Sequence, residues 1–283
     1  MIQAALLQMV GIAMNLFVSL DSKYIHPLCV MFNSLAATNS GNSFDIYVAY
    51  SSLTEDDFAM MEKALGKLDA RIHRVLVDED IFSGAPVLDR LSKATYYRLL
   101  IGEILPESVD RLIYIDPDTV INRDLTGFYN TDLGDNILAG CGHIYGLFEA
   151  VNVARLDAHK KGSKRYINAG VLLIDLKKWR EFVTVDEILD FIQKNIRKLY
   201  LADQDVINAM FAGKILSLDE RIYNVDEKTV THFSTVFAGK DRIDLDWIRE
   251  NSVIIHFNGK HKPWNEKKYR GKLGEFYEKN KTY

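Results

Sequence analysis

An α/β fold, with a mostly parallel sheet flanked by helices, is what three features of the chain predict. Short apolar runs of strand length alternate with stretches of helical periodicity, the pattern of a parallel sheet with crossover helices. No internal repeat, low-complexity tract or Gly/Ser-rich linker interrupts the alternation, and the 283 residues include only five prolines. One apolar run, Arg111-Leu112-Ile113-Tyr114-Ile115, closes in Asp116-Pro117-Asp118. The carboxyl ends of strands are where open α/β sheets hold their ligands.

Taken in order, Asn15 to Leu20 reads as a buried first strand, followed by a helix over 24–38. The run FDIYVAY predicts a strand over 44–50, and Thr54 with Asp57 three residues later predicts a capped helix over 55–67. RIHRVL gives a strand over 71–76, then a helix over 92–104 and the strand 111–115. Further strands are expected over 136–141, 169–175 (AGVLLID) and 252–257 (SVIIHF), with helices over 184–198 and 203–212.

Composition narrows the function. Hydrophobic content of 48% and charged content of 26% fit a soluble globular protein. A net charge of −4 argues against a nucleic-acid partner. Cys29 and Cys141 are the only cysteines, which excludes a disulfide scaffold and fits a reducing, cytoplasmic setting. Residues 4–20 are apolar enough to raise a membrane anchor as an alternative, but Gln8 and Asn15 interrupt them, and no Lys or Arg precedes them as a signal peptide requires. The expected organisation is an N-terminal extension over 1–13 with Met14 as a candidate start, a catalytic domain over 14–258, and a basic, aromatic C-terminal segment over 259–283. In that last segment Lys260, Lys262, Lys272, Lys279 and Lys281 are interleaved with Trp264, Tyr269, Phe276 and Tyr277. A helix with its aromatic face on the domain is the preferred reading. Peripheral contact with the anionic inner face of a membrane is the alternative.

The chemistry begins with Asp116 and Asp118. In a strand, residues i and i+2 share a face, so the two carboxylates should converge at its end. Such oxygen donors suit Mg²⁺ or Mn²⁺ shared with a substrate's phosphates. The same letters also open phosphatases of the haloacid dehalogenase type, but Gly134-Asp135 lacks the further acidic residue they need. Four other groups of residues agree with a phosphate-bearing ligand. Asn168-Ala169-Gly170 opens an apolar strand with small residues that allow close backbone approach, although a simple turn would look alike. Asp203-Gln204-Asp205 opens a helix; capping accounts for one Asp but not for Gln204 between two. His256 closes an apolar run and would add nitrogen to the metal set, tilting preference from Mg²⁺ to Mn²⁺; Gly259 and Lys262 follow it. Arg98 lies in a helix start, suited to bridging anionic oxygens or to an ordinary salt bridge.

In this order, with Asp21 after the first strand and then TYYRL, YIDPD, LGDN, NAGVLLIDLKKW, DQDVIN and HFNGKHKPW, the chain resembles the retaining glycosyltransferases of family eight from about Asn15 to Trp264. That family includes glycogenin and the bacterial lipopolysaccharide galactosyl- and glucosyltransferases. The resemblance implies a GT-A type nucleotide-binding sandwich, a UDP-sugar donor, a glycan acceptor, and Mn²⁺ with Mg²⁺ as the alternative ion. It implies Asp116, Asp118 and His256 as metal ligands, and Asp21 and Tyr24 as uracil-side contacts. Gly259 and Lys262 would meet the diphosphate, while Arg98, Asn168, Ala169, Gly170, Asp203 and Gln204 would form the sugar pocket. Lys23 and His143 depart from the family pattern, the first near the nucleotide and the second towards the sugar. Galactose and glucose therefore both stay open.

The implied reaction moves a hexosyl group to an acceptor hydroxyl with retention, for a bacterial envelope polysaccharide or lipopolysaccharide. Gln204 and Asp203 are the candidate catalytic residues. An amide is a poor nucleophile, so same-face attack with Gln204 supporting positive charge is preferred over a covalent intermediate. The alternative from another class is a catalytically idle nucleotide-sugar or glycan-binding module. A nucleotidyltransferase is disfavoured because residues 15–24 lack a Gly-rich, basic phosphate loop.

Overall fold

The computed structural model describes residues 11–82, 93–142, 147–162, 165–235, 243–266 and 269–281. Seven strands form one sheet in the order β3-β2-β1-β4-β7-β6-β8. These are β1 (Ala13–Ser19), β2 (Ser43–Tyr50), β3 (Asp69–Leu76), β4 (Arg111–Ile115), β6 (Leu138–Cys141), β7 (Val171–Asp175) and β8 (Ile215–Leu218). A separate two-stranded ribbon pairs β5 (Thr119–Ile121) with β9 (Ile254–His256).

The sheet is mostly parallel because β7 alone runs against its neighbours, antiparallel to both β4 and β6. Strand alternation divides its side chains between two cores. Leu16, Val18, Ile113, Ile115, Val171 and Leu173 face one core, which includes buried residues of the helices Ile25–Thr38 and Glu55–Leu65. Phe17, Leu112, Tyr114, Leu172 and Ile174 face the other, packed with the helices Leu176–Phe182, Val185–Asn195 and Asp203–Met210. Burial on both faces is why these strands read as near-continuous apolar runs.

A third core surrounds the ribbon, where Val120, Val225, Ile255 and Phe257 pack with Leu273, Phe276 and Tyr277. The C-terminal aromatics are thus buried against the domain through the helix Gly274–Lys279. Among the described residues, no helix is long and apolar enough to cross a membrane. Residues 1–10 of the expected extension lie outside the described residues, and so does His143.

Every expected strand is present, the one over 111–115 with the expected ends and the others with shifted ends, and β5 and β8 come in addition to them. β5 has three residues and β8 carries only partly buried positions beside an exposed one, too little for a strand pattern. The expected helix over 92–104 is instead a 3-10 run, Lys93–Leu100, followed by the single α-turn Ile101–Ile104. The helix at Glu55 begins with the complete capping box: Asp57 N–H donates to Thr54 Oγ1 at 3.3 Å, and Thr54 N–H donates to Asp57 Oδ2 at 2.8 Å.

Candidate active site

Asp116 follows β4 directly, and its N–H donates to the Gly170 carbonyl across the β4–β7 pair at 2.7 Å. Because β7 is reversed, its first residues lie beside the carboxyl end of β4, which brings Asn168-Ala169-Gly170 against Asp116. Asp116 and Asp118 do converge, but not through strand alternation: β4 ends at Ile115, and a turn through Pro117 and Asp118 separates it from β5. The Thr119 hydroxyl donates to the Asp116 carbonyl at 3.0 Å and closes that turn. The ribbon then delivers the third group. Thr119 pairs with His256, and Phe257 N–H donates to the Asp118 carbonyl at 2.9 Å.

The result is a cluster of Asp116, Asp118 and His256 whose ligand atoms lie within 4.8 Å of one another. His256 Nε2 is 3.1 Å from Asp118 Oδ1 and 3.7 Å from Asp116 Oδ2. His256 is 2% exposed and Asp118 7%, so this is a buried cluster and not a solvated acidic turn. Gly170 fits the same shell: a Cβ there would lie 2.3 Å from His256 Cε1 and 2.5 Å from Asp116 Oδ2.

Arg98 joins this cluster to the sugar-side residues. Its guanidinium reaches Asp116 Oδ1 at 2.9 Å, Asp203 Oδ2 at 3.0 Å and the Ala169 carbonyl at 2.5 Å, and it lies over the Tyr114 ring at 4.1 Å. The Tyr114 hydroxyl donates to Asp116 Oδ1 at 2.5 Å. Gln204 Oε1 accepts from Asn168 Nδ2 at 3.1 Å and from Ala169 N–H at 3.2 Å. On the other side, Lys262 Nζ contacts Asp118 Oδ2 and the Phe257 carbonyl, each at 2.6 Å, with Trp264 beneath it.

Three buried or half-buried carboxylates (Asp116, Asp118, Asp203) therefore face two permanent cations (Arg98, Lys262). Their acidities diverge. Burial pushes Asp203 up to about 6; Arg98 opposes the rise and Asp116 adds to it. Asp118 goes the other way, because His256 and Lys262 together outweigh the effect of burial. Two carboxylates and an imidazole brought this close together fit a divalent ion.

Tyr24 stands at the rim, half-buried, with Trp264 edge-on at 6.0 Å. Burial, then the charges of Asp118, Asp116 and Asp21, hold its phenol well above its usual range. Asp21 caps the 3-10 turn Ser22–Tyr24, accepting from Lys23 N–H at 3.0 Å. A side chain at Gly259 would meet no protein atom within 4 Å, and Gly259 is tied to the rest only through its place between His256 and Lys262.

Sequence reasoning quoted Asp205 and Asn208 within a motif but gave them no supporting role, and it missed Asn224. Asn208 holds Ile167 by both its N–H and its carbonyl, each at 2.8 Å, and so fixes the chain entering Asn168. Asp205, fully buried, accepts from Arg155, from the Tyr166 hydroxyl at 2.6 Å and from Leu201 N–H at 2.8 Å. Its bond to Leu201 holds the residue before Ala202, whose φ of 48° is unusual for a residue with a Cβ. Asn224, also fully buried, contacts both His256 and Asn168. It follows the short helix Glu220–Tyr223 in a stretch without a readable pattern.

The chain is similar to several known proteins. General stress protein A of Bacillus subtilis (strain 168) is 27% identical over 250 residues, covering 87% of this chain and 85% of that protein. Lipopolysaccharide 1,2-glucosyltransferase of Escherichia coli (strain K12) is 26% identical over 257 residues, covering 89% and 73%. The galactosyltransferase LgtC, solved in complex with donor and acceptor sugar analogs, superposes with a TM-score of 0.77 at 26% identity, covering 94% of this chain and 95% of LgtC. An active-site mutant of LgtC with glutamate in place of glutamine gives 0.78 at the same identity and coverage. The fold is that of a glycosyltransferase of GT-A type. The family model described as Glycosyl transferase family 8 matches residues 15–268, and the chain belongs to that family.

Proposed function

We propose that the protein transfers a galactosyl or glucosyl group from a UDP-sugar to a glycan hydroxyl with retention of configuration, in building a bacterial envelope polysaccharide or lipopolysaccharide. The observation that carries this reading is the Asp116–Asp118–His256 cluster, continuous through Arg98 and Asn168 with Asp203 and Gln204. The similarity to a lipopolysaccharide glucosyltransferase and to a galactosyltransferase supports both donor sugars.

Asp116, Asp118 and His256 would hold Mn²⁺, which when bound acts as a Lewis acid on the departing diphosphate. The imidazole nitrogen among oxygen donors favours Mn²⁺ over Mg²⁺. Lys262, which meets Asp118 in the free protein, would turn its ammonium to diphosphate oxygens, and Gly259 would leave the backbone open to them. Tyr24 and Asp21 line the nucleobase side. On the sugar side Arg98, Asn168, Ala169 and Gly170 bound the pocket, and Asp203 accepts hydroxyl hydrogen bonds. Gln204 Oε1 supports the positive charge that develops at the anomeric carbon during same-face attack. Two donors already occupy that oxygen, which lowers its nucleophilicity and favours this role over a covalent one.

The protein with Mn²⁺ and a set of UDP-hexoses should release UDP from UDP-galactose or UDP-glucose, and Asp118→Ala should abolish that release. Gln204→Ala should lower turnover by about a hundredfold, on the order of removing one stabilising group, while UDP affinity stays near that of the wild type. A protein that binds UDP and cleaves no donor would instead be an idle binding module.

A further inference from the structure

Two backbone donors fix the orientation of three side-chain amides between Gln204 and His256. Gly170 N–H donates at 2.9 Å to one side-chain atom of Asn168, which must therefore be its oxygen. Ala169 N–H likewise identifies the Gln204 atom it meets at 3.2 Å as oxygen, so Asn168 presents its amino group there. Asn224 contacts Asn168 Oδ1 at 3.1 Å, and only its amino group can do so favourably. The Asn224 oxygen is then the atom facing His256 Nδ1 at 2.9 Å.

An oxygen at that place requires a proton on Nδ1. With Nδ1 taken up by Asn224, Nε2 is the ring nitrogen that faces Asp118 Oδ1 and Asp116 Oδ2. The backbone keeps Asn224 in register with the imidazole, since Val225 bridges to Ile255 and His256 N–H donates to the Val225 carbonyl at 2.8 Å. At 0% exposure, Asn224 has no solvent alternative for its amide.

We propose that Asn224 is a positioning residue that locks His256 as the Nδ1–H tautomer, aims Nε2 at a divalent ion, and ties that imidazole through Asn168 to Gln204. This rests on the metal-dependent reading above and extends it to a residue outside the ligand set. Outer partners of ligating histidines typically contribute about 10- to 100-fold in metal affinity.

The test is Mn²⁺ titration, followed by the electron paramagnetic resonance of free Mn²⁺, on wild type, Asn224→Ala and Asn224→Asp. Asn224→Ala removes the acceptor and should weaken Mn²⁺ binding about 10- to 100-fold. Asn224→Asp keeps an acceptor for Nδ1–H and should bind Mn²⁺ at least as tightly as wild type. It also sets an oxygen against Asn168 Oδ1, so its UDP-hexose cleavage should fall although the ion is held. A merely structural role would not be rescued by Asp. Unchanged affinity in Asn224→Ala would overturn the proposal, as would weakened affinity in Asn224→Asp, which stands as a test even if the Ala variant does not fold. If wild type itself fails to bind Mn²⁺, the metal-dependent reading falls, and this proposal with it; if wild type binds and the variants do not separate, only the role of Asn224 falls.

Discussion

At the scale of single residues, charge and space explain why these side chains stand together. Asp203 is held near Arg98, yet Arg98 divides its charge between Asp203 and Asp116. The raised pKa of Asp203 has a definite consequence for stability. Between the ordinary carboxylate range and about 6, the folded state binds more protons at Asp203 than the unfolded chain does, so this residue's contribution to stability falls as pH rises through that window. Thermal melts across it should show Asp203→Asn gaining on wild type as pH increases; curves that stay parallel would remove the claim. Gly170 makes a steric prediction. Alanine there adds a Cβ inside the His256–Asp116 contact, an overpacking that costs about 1–3 kcal/mol and spreads the ligands. Gly170→Ala should stay folded by circular dichroism and bind Mn²⁺ more than about tenfold more weakly, the low end of what disturbing a ligand's support costs. Of these residues Asp116, Asp118, Arg98, Gly170, Asp203 and Gln204 are legible as letters in motifs. Asn224 is not, because a buried amide with no periodic context resembles any other asparagine.

At the scale of elements, the informative feature is a single reversed strand. β7 runs antiparallel between β4 and β6, so the residues before it, not those after it, reach the active edge. The apolar run Val171–Ile174 predicts a strand but carries no sign of direction, since both faces are buried either way. The turn at Pro117 and the three-residue β5 are equally unreadable, and with them the path that carries His256 to Asp118. The helix Asp203–Met210 holds the β7 entry through Asn208 on Ile167 and Asp205 on the Tyr166 hydroxyl. Asn208→Ala would leave the Ile167 N–H and carbonyl unpaired in the interior. That costs about 1–3 kcal/mol for each such group, so differential scanning calorimetry should register a fall of several degrees in Tm. A Tm within about one degree of wild type, on the order of a neutral surface change, would mean that other contacts hold Ile167.

At the scale of the whole molecule, the two cores on either side of the sheet fix the position of β4, and the third core fixes the ribbon that meets it. The C-terminal segment belongs to that third core: Phe276 and Tyr277 are buried with Phe257, one residue beyond His256. Its aromatic residues pack inward, as the helix-on-domain reading expects, while basic residues such as Lys260 remain exposed. Lys262 extends this coupling into the site, with Trp264 under its ammonium and Asp118 at its tip. Three separate parts of the chain must therefore fold before one cation can be held, and a bound ion should stabilise the whole by mass action. Isothermal titration of UDP in Mn²⁺ and in EDTA, on wild type and Asp118→Ala, decides whether that cation is what anchors the nucleotide. Mn²⁺ should tighten UDP binding to wild type by at least about tenfold, worth about 1.4 kcal/mol, and do nothing for the variant. Equal UDP affinity with and without the ion in wild type would refute a metal-anchored donor site.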